Sequence, residues 1–335
     1  MRRILVLAHT GREDSLQATL DTCLSLRAHG LVPVMRRLEL QNLRNSLEAE
    51  QLEVSVLGED VQLDEIDLGM VLGGDGTVLR SAELVRNSNV PLLGVNLGHV
   101  GFLAESERTD LQQTVEWVVN REYTVEERMA IDVQVWFGNR RIAHTWALNE
   151  AAVEKANRER MIEVVMEIDG RPISTFGCDG MVMATPTGST AYAFSAGGPV
   201  VWPEVEALVM VPISAHALFA KPLVVAPTST MALELLTRTD AQAVLWCDGR
   251  RTVDLPPGSR VEVTRSPKPV RLARVNKTPF SERLVRKFEL PTSGWRGPVP
   301  DKDREADTTA LPLVPAPLHV VEPRYHQPRT EEQHP

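Results

Sequence analysis

The strongest constraint on the fold is a change of pattern near residue 125 of this 335-residue chain. Before that point, short apolar runs alternate with segments of helical period, which is typical of a parallel sheet with crossover helices. The pattern predicts strands at residues 3–8, 31–35, 54–57, 68–72 and 91–96, and helices at 15–29 and 77–87. We therefore predict an N-terminal α/β domain over residues 1–125.

Beyond residue 125 the apolar runs become short and closely spaced, and the helical period is lost. They predict strands at residues 131–137, 162–168, 173–176, 231–236, 243–246 and 261–264. Between several runs lie turn dipeptides, at 138–139, 169–170 and 248–249. Such dipeptides tolerate the positive φ that tight hairpins need. We predict an all-β domain over residues 126–275, and two domains are what a chain of this length usually forms.

The last part of the chain departs from the strand pattern. Residues 280–288 have the apolar spacing of a short helix, so we predict a segment at 276–296 that packs back on the first domain. From 297 to 335 prolines and charged residues dominate, which predicts a disordered tail without chemistry.

Composition and charge exclude several classes of function. The net charge of −9 argues against non-specific nucleic-acid binding, which depends on clustered Lys and Arg. No apolar run reaches the length of about 18 residues that a membrane span needs, so no membrane partner is predicted. The three cysteines, Cys23, Cys178 and Cys247, have neither disulfide-framework nor zinc-site spacing. A reducing cytoplasm fits this pattern best.

The sharpest motif is the five-residue run Gly-Gly-Asp-Gly-Thr at residues 73–77, which we call the phosphate loop. It follows a predicted strand directly and precedes a predicted helix. Glycines such as Gly74 and Gly76 allow the backbone to approach a ligand, and the free N–H groups from Thr77 onward favour an anion. The run matches neither a dinucleotide-binding G-x-G-x-x-G motif nor a Walker loop.

Asp75 is the leading catalytic candidate in this loop. A carboxylate beside phosphates is repulsive unless it binds a metal ion or receives a proton from the attacking hydroxyl. The alternative is that Asp75 only caps the following helix. Arg80, one helical turn further, either reaches a phosphate or remains a solvated helix residue.

Two further groups of residues suggest a nucleotide. The amide of Asn149 can read a base edge, and the carboxylate of Glu150 can accept ribose hydroxyl protons. An exposed strand end is the simpler interpretation of such a pair. Residues 177–199 are rich in hydroxyls and small residues, and Tyr192 offers a flat face for a purine. The alternative for that stretch is a polar surface loop.

In this order and at roughly these distances, the three groups resemble the NAD kinase family, whose members carry a G-G-D-G-T loop, an N-E pair and a T-P-T-G-S-T-A-Y segment. Residues 97–103, 214–218 and 286–295 are also similar to family segments. The resemblance covers most of residues 1–296 and implies an α/β domain followed by a β-sheet domain, with the active site in the crevice between them. It also implies phosphoryl transfer from ATP or polyphosphate to the adenosine 2'-hydroxyl of NAD, with Mg²⁺.

The resemblance assigns roles to single residues. Asp75 matches the proton acceptor for the 2'-hydroxyl, and Gly76 would lie against the phosphates. Asn149 and Glu150 match the pair that holds the adenosine. The same pocket is lined in the family by residues that match Thr187, Thr190, Ala191, Tyr192 and Ser195. Asp179 matches a carboxylate that helps to bind the nicotinamide end, often of a neighbouring subunit, which implies a homodimer or homotetramer.

One departure and two rival functions stay open at this stage. Many relatives carry Arg close before the residue matched by Asp179, whereas this chain has Gly177 and Cys178, so the preference between NAD and NADH is undecided. Lipid kinases carry a similar glycine-aspartate-glycine loop, but the hydroxyl-rich segment suits a nucleotide better. A sensing module that binds the dinucleotide without turnover is the other rival.

Overall fold

The computed structural model describes residues 1–8, 13–47, 52–98, 101–104, 106–107, 110–157, 160–238, 240–275 and 278–292. Residues Met1–Glu289 form one compact unit that contains all the elements described below. The predicted tail lies outside the described residues, as do His99 and Val100 and the last three residues of the 286–295 segment. In the described part of the chain, no helix is long and apolar enough to cross a membrane.

The first sheet has eight strands in the order β3-β2-β1-β4-β5-β20-β7, with β6 paired to β5. Its strands are β1 (Arg3–Ala8), β2 (Val32–Met35), β3 (Ser55–Val56), β4 (Leu68–Leu72), β5 (Leu92–Asn96), β6 (Ser106–Glu107), β7 (Thr124–Arg128) and β20 (Val270–Arg274). β1 to β6 pair in parallel, and β7 is antiparallel to β20. All five residues of β4 are buried, as expected for a strand covered on both faces.

Four helices cover the two faces of this sheet. They are α1 (Glu13–Ala28), α2 (Arg37–Leu47), α3 (Asp75–Val85) and α4 (Leu111–Asn120). Helices α1, α2 and α4 bury Leu26, Leu43 and Val118 in one core. Helix α3 buries Val78 and Ala82 in the core on the other face, together with Ala130 and Leu148 from the second half of the chain. Helix α3 therefore lies where the two halves meet.

The second half consists of two six-stranded sheets that share one core. The first has the order β15-β14-β13-β10-β17-β18 and the second β12-β11-β16-β19-β8-β9. Their strands are β8 (Ile131–Phe137), β9 (Arg140–Ala147), β10 (Glu150–Lys155), β11 (Ile162–Ile168), β12 (Arg171–Cys178), β13 (Gly180–Ala184), β14 (Leu208–Ile213), β15 (Leu223–Val225), β16 (Met231–Leu235), β17 (Ala243–Cys247), β18 (Arg251–Leu255) and β19 (Ser259–Arg265). Two short helices complete the fold: α5 (Tyr192–Ser195) and α6 (Phe280–Phe288).

The predicted fold class, an α/β half followed by a β half, is confirmed by this topology. The predicted hairpin turns are confirmed too, since Gly138, Asp169 and Asp248 have φ of 56°, 52° and 52°. The helix predicted at 77–87 begins two residues earlier, at Asp75, and ends at Val85. β20 was missed, because it has no continuous apolar run, and it returns to the first sheet between β5 and β7.

Candidate active site

The phosphate loop connects β4 to α3 at the carboxyl edge of the parallel strands, where open α/β sheets commonly bind ligands. Gly74 is the N-cap residue of α3. No heavy atom lies within 4 Å of the place where a Cβ would stand on Gly74 or Gly76, so this face of the backbone is open to a ligand. Arg80 is exposed on α3 and donates to Thr77 Oγ1 at 3.3 Å.

Asp75 is half-buried, and its side chain does not cap α3. Its Oδ2 accepts the Phe102 N–H at 2.9 Å, and its Oδ1 accepts the Leu103 N–H at 3.0 Å. A Cβ on Gly101 would overlap the same carboxylate, so only glycine allows this approach. The capping alternative for Asp75 is therefore wrong, and the carboxylate has a fixed position beside the loop.

Asn149 and Glu150 are both buried, so they are not an exposed strand end. Asp248 lies next to them. Its carboxylate accepts the N–H groups of Leu148 and Asn149 at 3.0 and 2.7 Å, and Arg251 Nη2 lies 2.7 Å from its Oδ2. Burial raises the pKa of Asp248, and the two N–H groups and Arg251 oppose that rise.

The environment of Glu150 differs from that of an ordinary surface acid. Burial, and after it the neighbouring Asp248, raises the pKa of Glu150 to about 8, although the N–H of Tyr192 donates to the carboxylate. Among the described residues, Glu150 Oε2 has no hydrogen-bond partner. A buried oxygen of this kind needs a hydrogen-bond partner, which a bound ligand can supply.

Asp248 is the site residue that sequence reasoning missed. The Asp248–Gly249 dipeptide predicted a hairpin turn, and the turn exists, with φ of 52° and 64°. The same turn also directs the Asp248 carboxylate inward, where its side chain is almost fully covered. An acidic residue directly after a buried strand was the available signal, but the turn alone explained it.

A charged network joins α3 to the Asp248 turn. Glu83 on α3 forms ion pairs with Arg250 and Arg251, at 3.3 and 3.2 Å. The guanidinium groups of Arg86 and Arg251 both lie over the Trp146 ring, at 4.1 and 4.6 Å from its centroid. The helix that begins at Asp75 is thus fixed to the turn that supports Asn149 and Glu150.

The hydroxyl-rich segment packs directly on the Asn149–Glu150 pair, so it is not a free surface loop. Thr185 Oγ1 donates to Leu148 O at 2.6 Å, and a Cβ on Gly188 would overlap the Asn149 backbone. Thr187 is buried against Arg128. The remaining predicted pocket residues, which are partly or fully accessible, follow in sequence: Thr190, Ala191, Tyr192 and Ser195.

Tyr192 lies at the start of α5 with part of its ring exposed. Burial of the phenol and a hydrogen bond to Glu154 raise the pKa of Tyr192 to about 12, so the hydroxyl stays neutral. Asp179 is not brought to the same place. It pairs with Lys155 at 2.5 Å, at the opposite end of β10 from Glu150. At about 3.3 Å per strand residue, that separation is roughly 16 Å.

A cleft of about 870 Å³ lies between the phosphate loop and the Asp248 turn. The loop side contributes Gly74, Gly76 and Arg80, and the turn side contributes Asp248 and Arg250. Asp75 does not line this cleft, because its side chain is directed toward Phe102. A smaller cavity of about 300 Å³ shares Arg80 and Arg250 with the cleft. It is also lined by Arg36 and by Glu39, which pairs with Arg36. This arrangement suits an extended anion.

Two family models match the chain: the ATP-NAD kinase N-terminal domain over residues 9–123 and the ATP-NAD kinase C-terminal domain over 148–275. An NAD kinase of Leifsonia xyli subsp. xyli is 61% identical over 297 residues, which are 89% of this chain and 97% of that protein. An NAD kinase of Thermobifida fusca is 57% identical over 307 residues, 90% of this chain and 94% of that protein.

Two solved structures have a similar fold. Yeast NADH kinase complexed with NADH aligns with a TM-score of 0.78 at 21% identity, over 88% of this chain and 89% of that one. An NAD kinase from Archaeoglobus fulgidus in complex with ATP aligns with a TM-score of 0.60 at 25% identity, over 87% of this chain and 100% of that one.

Proposed function

This chain belongs to the NAD kinase family, and from that premise we propose that it transfers the terminal phosphoryl group of ATP to the adenosine 2'-hydroxyl of NAD, giving NADP. The observation that carries this proposal is the position of Asp75. Its carboxylate is fixed by two backbone N–H groups at the N-terminal end of α3, beside a glycine loop open to phosphates.

Asp75 acts on the acceptor hydroxyl. A ribose hydroxyl is a poor nucleophile, but in a loose phosphoryl-transfer transition state its proton leaves late. Asp75 therefore needs only to hold the hydroxyl in line with the phosphorus atom and to accept the proton as the new bond forms. Each carboxylate oxygen already accepts one N–H group and keeps a second lone pair for that proton.

The donor phosphates lie in the cleft beside the loop. Gly74 and Gly76 offer backbone N–H groups at the positive end of α3, Thr77 lines the same cleft, and Arg80 and Arg250 offer cations. In the described part of the chain, no group of three or more His, Cys, Asp or Glu side chains is arranged to hold a metal ion. A Mg²⁺ ion that arrives on the phosphates, as this ion usually does, would neutralise their charge.

NAD is held by the Asn149–Glu150 pair and the segment packed on it. Glu150 Oε2, buried without a partner among the described residues, suits a ribose hydroxyl, which can both donate and accept a hydrogen bond. Thr187, Thr190, Ala191, Tyr192 and Ser195 complete the adenosine pocket. Asp179 is too far from Glu150 for the same adenosine, and we assign it to the nicotinamide end of NAD bound to a neighbouring subunit.

We also propose that the enzyme works in the cytoplasm as a homodimer or homotetramer. The three cysteines are free and buried, which suits a reducing compartment. The second six-stranded sheet and the residue just before its strand β11 expose large apolar side chains, which suit a subunit interface: Phe137, Ile142, Ile173 and Met161. The mass in solution, from sedimentation velocity, tests the oligomer.

The decisive experiment is NADP formation by purified Asp75→Asn. Asparagine keeps the shape and an acceptor oxygen for one of the two backbone N–H groups, but it cannot take the proton. We expect kcat to fall by about 10²–10⁴-fold with little change in NAD binding. Asp254→Asn, at an exposed residue of β18, is the matched control.

Full activity in Asp75→Asn would remove the residue from the reaction. The same assay, run with ATP or polyphosphate as the donor and with NAD or NADH as the acceptor, defines the substrates. Binding of NAD without any NADP formation by the unmodified enzyme would instead identify a sensing module.

A further inference from the structure

Helix α6, near the end of the described chain, contacts the segment that holds Asp75. The Phe102 ring contacts both Phe280 and Phe288 of α6, with centroids 5.7 and 5.9 Å away. Arg283, between these two aromatic residues in sequence, is only 6% exposed. Its Nη1 donates to Phe102 O at 3.4 Å. Both the ring and the carbonyl of Phe102 are therefore held by α6.

One peptide group connects Arg283 to Asp75. The carbonyl of Phe102 and the N–H of Leu103 belong to the same peptide unit, and in a trans peptide they point in opposite directions. The carbonyl accepts from Arg283, and the N–H donates to Asp75 Oδ1 at 3.0 Å. A cation on the carbonyl polarises the peptide and strengthens the hydrogen bond from its N–H. The guanidinium thus acts on the carboxylate through a single rigid group.

The same helix contacts the adenosine side of the site. Phe288 packs on Phe194 of α5 with ring centroids 4.4 Å apart, and Phe280 packs on Trp202 at 5.0 Å. Helix α5 also carries Tyr192 and Ser195 of the proposed adenosine pocket. α6 therefore contacts both the support of Asp75 and the helix that borders NAD.

We infer that α6 positions the reactive carboxylate, and that Arg283 is a positioning residue for Asp75 through the Phe102–Leu103 peptide. This inference rests on the proposed role of Asp75. Burying an Arg side chain is costly. Here the buried Arg283 donates to the Phe102 carbonyl, and the N–H of the same peptide group donates to Asp75, so its burial serves to position the carboxylate. The motifs that mark the site do not include Arg283, which lies 181 residues after Phe102 in the sequence.

The test compares Arg283→Gln with Arg286→Gln in the full-length enzyme. Arg286 lies on the same helix, is exposed and pairs with Glu282 at 3.3 Å, so the control removes a charge from α6 without touching Phe102. We expect Arg283→Gln to lower kcat by about 10- to 100-fold, since small misplacements of a catalytic group have effects of that size. KM for NAD should change less than about threefold, and Arg286→Gln should keep the unmodified kcat.

Three further readouts separate positioning from general stability. Arg283→Lys should recover part of the lost kcat. Hydrogen exchange at the Leu103 amide should be faster in Arg283→Gln. In an Asp75→Asn background, adding Arg283→Gln should change kcat little, because two residues that act as one unit are not additive.

If Arg283→Gln does not fold, Phe288→Leu tests the same helix, since it keeps an apolar side chain but removes the ring contacts with Phe102 and Phe194. It should also lower kcat and speed exchange at Leu103. Unchanged kcat and exchange in these variants, or an equal loss in Arg286→Gln, would overturn the inference. Failure of the proposed function is a different result, namely full activity of Asp75→Asn.

Discussion

Two carboxyl groups, Glu150 and Asp248, are buried side by side at the base of the site. Backbone N–H groups and Arg251 stabilise the charged form of Asp248 and so lower its pKa. For Glu150, the one interaction among the described residues that lowers the pKa is the hydrogen bond from the Tyr192 N–H. Like charges in a low-dielectric region disfavour double ionisation. Glu150 is therefore the member of the pair that stays protonated well above the usual range for a glutamate.

This difference predicts a pH-dependent stability. The pKa of Glu150 rises from 4.5 to about 8 on folding, so the folded state binds the extra proton between these values. Stability from this group is fully present below pH 4.5 and is lost as pH rises through 8. Glu150→Gln resembles the protonated acid and should remove the loss. Its Tm should exceed that of the unmodified protein increasingly over this window, by an amount equivalent to a few kcal/mol.

Thermal unfolding followed by circular dichroism at several pH values checks this prediction. Glu204→Gln, the same change at an exposed position, is the control and should follow the unmodified protein throughout. A Tm difference for Glu150→Gln that stays constant from pH 5 to pH 9 would contradict a raised pKa at Glu150.

At the scale of elements, the turn at Thr187–Thr190 is built onto the start of β10. The Gly188 N–H donates to Thr185 Oγ1 at 3.1 Å, while Thr185 Oγ1 donates to Leu148 O. Gly188 lies so close to the Asn149 backbone that a methyl group has no space there. The adenosine pocket and the Asn149–Glu150 pair therefore form one rigid piece of structure.

We expect Gly188→Ala to disrupt this piece. The added Cβ would overlap backbone atoms, which cannot rotate away as a side chain can, and overpacking of this kind costs about 1–3 kcal/mol or more. Tm should fall, and KM for NAD should rise. Gly177→Ala is a matched change on β12, where the new Cβ would make an ordinary contact of 3.6 Å with Met161, so its Tm should stay near that of the unmodified protein.

Elements with a strong local pattern could be predicted from the sequence. β4, β8 and β11 were placed at their observed bounds because buried runs and alternation mark them, and α6 was placed at Phe280–Phe288 by its apolar spacing. β7 is mostly exposed, and the apolar residues of β20 are interrupted by two arginines. Neither sequence therefore has the apolar run that would predict a strand of the first sheet. The role of Asp248 depends on its hydrogen bond with Leu148, which lies 100 residues earlier in the sequence, so no local sequence pattern could predict it.

At the scale of the molecule, the chain leaves the first sheet after β7, builds the β half, and returns to the first sheet as β20. β20 pairs with both β5 and β7, and Leu272 on it shares a core with Leu148 and Val78. The Glu83 ion pairs add a second connection across the halves. The α/β half is thus incomplete until the β half has been made.

This dependence predicts that both halves unfold in a single transition. Helices α1 to α4 dominate the far-ultraviolet signal of the first half. With Trp117 of α4 replaced by Phe in every protein compared, Trp136, Trp146 and Trp246 report fluorescence from the second half. Leu272→Ala removes buried volume from the shared core and Leu245→Ala from the β core, each at a cost of about 2–5 kcal/mol. In either variant both signals should shift to the same lower temperature, because an unfolded β half withdraws β20 from the first sheet. If Leu245→Ala lowered only the fluorescence transition and left the helical signal at its original temperature, the two halves would be independent, and the phosphate loop would form without the turn that carries Asp248.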